Sequence, residues 1–347
     1  MDDCLDTITK EALDNPDSKI KVAISAASDV DENFVLSSNN FPIREQKRGR
    51  NSSFEIKTEL EKKLHQVNVD SSRINLTVEN DAEMQLTDAA LKFKLKKGSR
   101  ALGISLGTGF NLKDGINYKG NGEFTEVKSA PKIMMPELDK YQNLEGPQRA
   151  YSSSDSKGSA AAYITGGHNE NPEHGPKGTL SHLFKLMESS DKEDKRELQK
   201  ALKLLIPTKG IRARLLAVIG LGNRARRKAL EKSDLTRNFK KSQELSNEAI
   251  EAAAKSNDKL ALALLIFTAK RTADVLKTYL EKDSKLQWPE VIYLAGGFAN
   301  GIYNSDNKHI KQVREVLEKE IKKFSEAQLE LHDPELDGAI EFLKLKQ

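Results

Sequence analysis

"INLTVENDAEMQL" (residues 74–86) runs from an apolar stretch through an acidic turn into an amphipathic one. Ile74 to Val78 reads as a buried strand, and residues from about 82 to 94 read as a helix. Between them stand Glu79, Asn80 and Asp81. Asn80-Asp81 is either a polar helix start or a strand end that presents a carboxylate, and spacing alone leaves both readings open.

Working outward, strands and helices alternate. Residues 5–14 form a short helix closed by a turn at Asn15-Pro16, and Ile20 to Ala26 forms a strand with Phe34 to Ser37 as its hairpin partner. Phe54 to Val67 has the helical period, with Ser52 or Ser53 as N-cap. A strand over 100–106 follows, and the five glycines of 107–122 read as a hairpin. Such alternation argues for an α/β sheet with parallel pairs. From Lys128 to Lys177 no period persists, the signature of a long, partly irregular segment of the kind used in lids and binding loops. Residues 179–282 are helical by pattern, as three to five helices. Within them, Leu260 to Leu280 is apolar enough to be a buried central helix. "EVIYLAGG" (290–297) is then a buried strand running into a glycine turn. A helix (307–324), a short strand (328–331) and a last helix (334–345) complete the chain.

The 347 residues are 37% hydrophobic and 31% charged, as expected of a globular protein of two lobes. A net charge of +4 is small for this length and argues against a nucleic-acid partner. Cys4 is the single cysteine, which rules out disulfides within the chain and cysteine-based zinc sites, and fits a reducing compartment. The longest apolar run, Leu260 to Phe267, is far short of the roughly 20 residues that span a bilayer. The N-terminus is polar and unlike a signal peptide. The expected location is the cytoplasm.

Two strand ends carry glycines suited to ligands. "GISLGTGF" (103–110) ends in Gly107-Thr108-Gly109, where absent Cβ atoms let backbone N–H groups approach phosphate oxygens and a hydroxyl adds a donor. "VIYLAGGFANG" (291–301) ends in Gly296-Gly297, against which a ring or ribose can lie. Each is also an ordinary turn. The first is not the helix-opening dinucleotide fingerprint, because after Gly107-Thr108-Gly109 no third glycine and no helix follow.

Taken in order, "INLTVENDAEMQL", "GISLGTGF", the helical block, "EVIYLAGGFANG" and the terminal "DPELDGAIEFL" resemble the ROK family of sugar kinases and repressors. "KVAISAASDVDENFVLSSNNFP" (21–42) looks like the family's segment before its sugar loop. The resemblance covers most of the chain outside about 130–245. It implies an actin-like ATPase, ribonuclease H-like two-lobed α/β fold with a truncated N-terminal lobe and a largely helical insertion. The implied lobes are residues 1–98, carrying the sugar-side loops and the candidate base, and 99–347, binding nucleotide. Asp81 would take the proton from a sugar hydroxyl attacking the γ-phosphate of ATP, while Asn80, Asn40 and Glu126 would hold the sugar. Glu126 falls at the glutamate of the family's Glu-x-Gly-His. Gly107, Thr108 and Gly109 would cradle the phosphates, and Gly296 and Gly297 would pack on the adenosine. ATP and Mg²⁺ are the implied cofactors. The implied partners are a hexose or amino-sugar and a second copy of the chain, with no membrane and no nucleic acid.

The departures from the family pattern bear on activity. Residues 1–40 hold nothing like the Asp-x-Gly-Gly-Thr hairpin that helps bind Mg²⁺ and phosphate, so the chain reads as starting about one sub-sheet late. Ala27-Ser28 replaces the family's Pro-Gly, and Ser129 stands where its histidine follows the sugar glutamate. The repressor branch adds an N-terminal helix-turn-helix domain, for which this length leaves no room. Loss of a metal ligand set slows phosphoryl transfer by orders of magnitude. The alternative to an active sugar kinase is therefore an impaired homologue that binds sugar or nucleotide, or regulates a partner. His168, His174 and His182 match no metal-ligand spacing and read as loop histidines. "GPKGT" (175–179) lacks the spacing of a phosphate loop. Residues 209–230 carry seven basic side chains and no acid, which reads as a solvated helix face.

Overall fold

The structure, a computed structural model, describes residues 2–26, 29–30, 35–38, 52–107, 109–129, 159–166, 174–205, 233, 235, 246–282, 286–303 and 305–331. The chain divides into two compact units. The described residues within 2–103 and 113–128 belong to unit 1, and those within 104–112 and 129–331 to unit 2.

Unit 1 begins with α1 (Asp2–Asp14) and β1 (Ile20–Ala26). It continues through β2 (Asp29–Val30), β3 (Val35–Ser38) and β4 (Ser52–Glu55) into α2 (Ile56–Gln66), then β5 (Ile74–Asn80) and α3 (Asp81–Lys92). β1 and β5 pair in parallel, with Ile20 opposite Ile74 and Ala26 opposite Asn80. The strand period of two puts Ile20, Val22, Ile24 and Ala26 on one face with Ile74, Leu76 and Val78, and this register keeps the two apolar rows level. Against that face pack Leu5, Ile8 and Ala12 of α1 and Ile56, Leu60 and Leu64 of α2, both at helical spacing. Burying each of these leucines and isoleucines stabilises the unit by about 1.5–3 kcal/mol. Arg73 donates to the carbonyls of Ala12, Asn15 and Ser18, closing the carboxyl end of α1 with a cation.

Three expectations change here. β3 pairs with β2 and β4, both antiparallel, and is not the hairpin partner of β1. Ser52 and Ser53 lie in β4 and do not cap α2; its N-cap is Glu55, which makes no side-chain capping bond. α2 therefore begins at Ile56 and not at Phe54, because pairing with β3 claims the intervening residues.

The strands β6 (Ala101–Leu106), β7 (Phe110–Gly120) and β8 (Glu123–Ser129) follow. The glycines expected to form one hairpin instead lie in two turns and along β7. β7 and β8 join through Asn121-Gly122, with φ of +54° and +75°, the left-handed pair that a two-residue hairpin requires. Among residues of unit 1 the strand order is β6-β7-β8; among those of unit 2 it is β10-β9-β6-β7. Arg100 and Asp114, both buried, form a two-pronged ion pair at 2.9 and 2.6 Å in unit 1.

Unit 2 is mostly helical. It holds α4 (Ala161–Ile164), α5 (Gly175–Glu188), α6 (Lys192–Leu205), α7 (Asn247–Lys255), α8 (Lys259–Lys282), α9 (Gly297–Tyr303) and α10 (Lys308–Ile321). Its strands include β9 (Val291–Ala295) and β10 (Gln328–Leu331), which pair in parallel. β9 is buried along its whole length, as befits a parallel strand covered on both faces. α8, about 36 Å long, is the expected central helix, buried from Leu260 to Leu280 on most of its circumference. Asp258 caps its start, accepting from the N–H groups of Leu260 and Ala261 and from the Ser233 hydroxyl. The helix expected over 334–345 and the basic run 209–230 lie outside the described residues.

Candidate functional site

β5 passes directly into α3: Asn80 is the last strand residue and Asp81 the first helical one. Asn80 is buried at 2% exposure, and Asp81 opens the first turn of α3. A carboxylate in the first turn of a helix is favoured by the helix dipole. The Asp81 side chain itself is outside the described atoms. α3 is a fixed support, because Met84 to Ala90 are all buried, polar Gln85, Thr87 and Asp88 included. The Thr87 hydroxyl donates to the Gly122 carbonyl at 3.2 Å, and Lys113 Nζ meets Glu83 Oε1 at 2.9 Å. Glu126 is exposed on β8, with Lys128 Nζ 3.9 Å away. Asn40 lies outside the described residues.

In unit 2 the glycines come together. Gly107 follows β6, and its N–H donates to the Gly109 carbonyl at 3.1 Å; Thr108 between them is outside the described residues. Gly296 follows β9 with φ +97°, and a Cβ there would stand 2.7 Å from the Leu106 carbonyl oxygen. Only a residue without a side chain lets the turn after β9 lie against the end of β6. A Cβ on Gly107 or Gly297, by contrast, would meet nothing within 4 Å. The carboxyl ends of β6 and β9 thus form a backbone-lined cradle with open space before it, suited to a phosphate or a flat ring.

A further member went unnoticed in the sequence. The Gly166 N–H donates to the Gly107 carbonyl at 2.9 Å, and a Cβ on Gly166 would stand 3.3 Å from that oxygen and 3.4 Å from the Phe298 ring. Asn247 Nδ2 donates to the Gly166 carbonyl, and Gly175, at φ +53°, brings its α-carbon against the Thr165 carbonyl. The signal was present as "ITGG" (164–167), but the surrounding segment has no period to point at it.

The histidines are not loop residues where they are described. His174 is the buried N-cap residue of α5, and His182 lies on α5 with Nε2 3.3 Å from Glu197 Oε1; His168 is outside the described residues. "GPKGT" opens α5, and burial holds its Lys177 amine below the ordinary lysine value. Among the described residues no three His, Cys, Asp or Glu side chains gather as a metal site, and no helix is long and apolar enough to cross a membrane.

No protein-family model and no curated protein matches the sequence. Solved structures do match in fold. A ROK family transcriptional regulator, a homologue of the E. coli MLC protein, superposes with a TM-score of 0.52 at 13% identity, covering 99% of this chain and 66% of the regulator. The chain thus spans just under two thirds of that protein's length. A ROK family glucokinase from Streptomyces griseus, in complex with glucose and AMPPNP, gives 0.49 at 14% identity, covering 98% and 86%. A glucokinase from Leishmania braziliensis gives 0.48 at 14%, covering 99% and 82%. With its parallel strand pairs and a superposition that takes in 99% of its residues, this chain shares the α/β fold of that ROK family regulator.

Proposed function

We propose that this chain is a ROK-type sugar kinase that transfers the γ-phosphoryl group of ATP to a hydroxyl of a hexose or amino-sugar. The observation that carries the reading is the glycine cradle of unit 2, in which Gly296 lies on the Leu106 carbonyl and Gly107 faces open space. In this reading the backbone of the Gly107–Gly109 loop would hold the phosphates, with the Gly107 N–H bracing the loop from within, and Gly296-Gly297 would lie along the nucleoside. ATP, when bound, supplies the phosphoryl group. The protein's part is positioning and proton transfer. Asp81 accepts the proton of the attacking hydroxyl, and buried Asn80 orients the sugar from the end of β5. The proposed lobes are residues 1–98 for sugar and 99–347 for nucleotide, with an insertion at about 130–245. Among the described residues no three His, Cys, Asp or Glu side chains gather to hold Mg²⁺ by themselves.

A second reading, an impaired homologue that binds or regulates, is supported by Glu126. It stands exposed beside Lys128, with Ser129 where a sugar-binding histidine is expected. A coupled assay with ATP and Mg²⁺ over a panel of hexoses and amino-sugars separates the two. In the kinase reading Asp81→Asn lowers turnover by about 10²–10⁴-fold while leaving ATP affinity unchanged. Absence of turnover on every sugar, with ATP binding intact by calorimetry, selects the second reading. Loss of both sinks the nucleotide assignment.

A further inference from the structure

The turn that carries Gly166 is gripped from the helical interior of unit 2. Arg271, on α8, is fully buried. Its Nη1 donates to the Tyr163 carbonyl at 3.4 Å. Its guanidinium carbon lies 4.1 Å from the centre of the Phe267 ring and 5.5 Å from that of Tyr163. Phe267 is one helical turn away on the same helix, so it underlies the guanidinium. Burying a cation is costly, and a plain core position would carry an apolar side chain. A planar guanidinium can rest on aromatic faces and still send an N–H to a carbonyl, which an ammonium does less well.

The grip acts on a short stretch. Arg271 holds the carbonyl of residue 163, Gly175 abuts that of residue 165, and Asn247 binds that of residue 166. The Gly166 N–H then rests on the Gly107 carbonyl. We infer that Arg271 is a positioning residue for the cradle: it fixes the Tyr163–Gly166 turn so that Gly166 holds the Gly107–Gly109 loop in place for phosphate. This rests on the nucleotide reading above.

Arg271→Met and Arg271→Lys test it, both compared with the unaltered protein well below their melting temperatures. In the apo protein, Arg271→Met raises the hydrogen-exchange rate of the Gly166 amide at least about tenfold, while amides of β9 keep theirs. Calorimetry with ATP shows about tenfold weaker binding, and with adenosine less than about a twofold change, because the loop faces phosphate. Arg271→Lys, which keeps the cation on the rings, recovers part of both losses. Unchanged Gly166 exchange in Arg271→Met overturns the inference. So does an equal loss for ATP and adenosine that lysine does not restore, the mark of a purely structural role. An unaltered protein that binds no ATP removes the nucleotide reading instead, and the amide exchange still decides whether Arg271 holds the turn.

Discussion

Gly296→Ala places a methyl group where the structure leaves no room. The new Cβ would stand 2.7 Å from the carbonyl oxygen of Leu106, 2.8 Å from its carbonyl carbon and 3.1 Å from its nitrogen. These are backbone atoms of a buried strand and cannot rotate aside as a side chain would. The φ of +97° adds a second cost, since a residue with a Cβ is strained there. Strain of about 1–3 kcal/mol and overpacking of a similar size sum to about 2–6 kcal/mol. With a urea slope of about 2 kcal/mol/M, the midpoint falls by about 1–3 M. Trp288, the single tryptophan, precedes β9 and lies 6.3 Å from Phe324 between ring centres, so its fluorescence reports unit 2 directly. Gly297→Ala is the internal comparison: its Cβ meets nothing within 4 Å, and the change should stay within about 0.5 kcal/mol. Equal midpoints for Gly296→Ala and the unaltered protein would refute the close approach of the two strand ends, and with it the cradle.

Arg100→Met removes the guanidinium from a buried Asp114 and should cost about 3–5 kcal/mol in urea unfolding, whereas Arg100→Met with Asp114→Leu recovers most of that loss. Equal instability of the single and double variants would show that the pair is not the cause. For Lys177, burial lowers the folded value below 10.5 and Glu248 offsets a part. Between the lowered value and 10.5 the unfolded chain binds more protons, so stability rises with pH across that window, and the cost of burying the ammonium is full below it. Lys177→Met therefore gains less stability than the unaltered protein between pH 7 and pH 10.5. A matching gain in both would exclude Lys177 as the source.

The strand–helix boundary at Asn80-Asp81 was legible because an apolar run changes period there, and α8 because its apolar residues cover most of the helix. β9 and its glycine pair were legible for the same reason, as an unbroken apolar run ending in residues without side chains. β4 was not. Ser52 and Ser53 suit a cap locally, and only pairing with β3, fourteen or more residues earlier, makes them a strand. Gly166 and Arg271 were hidden for another reason. Their roles come from contacts 59 and 108 residues distant in sequence, which no local pattern records. The first residue of α3 was in view from the outset, and the structure sets it directly after the last residue of β5.

The partition of the chain has a consequence for its synthesis. Unit 1 is not finished when residue 103 has been made, because it takes back residues 113–128 after the chain has entered unit 2. Those returning residues supply Asp114 to Arg100, Lys113 to Glu83 and the Gly122 carbonyl to Thr87. Until residues 113–128 have followed it, Arg100 has no Asp114 to meet and α3 lacks part of its cover. At about 5–20 residues per second, the ribosome leaves that half-built unit waiting seconds for its own later segment. This is the interval in which a chaperone, or a competing strand, has its best access to this protein.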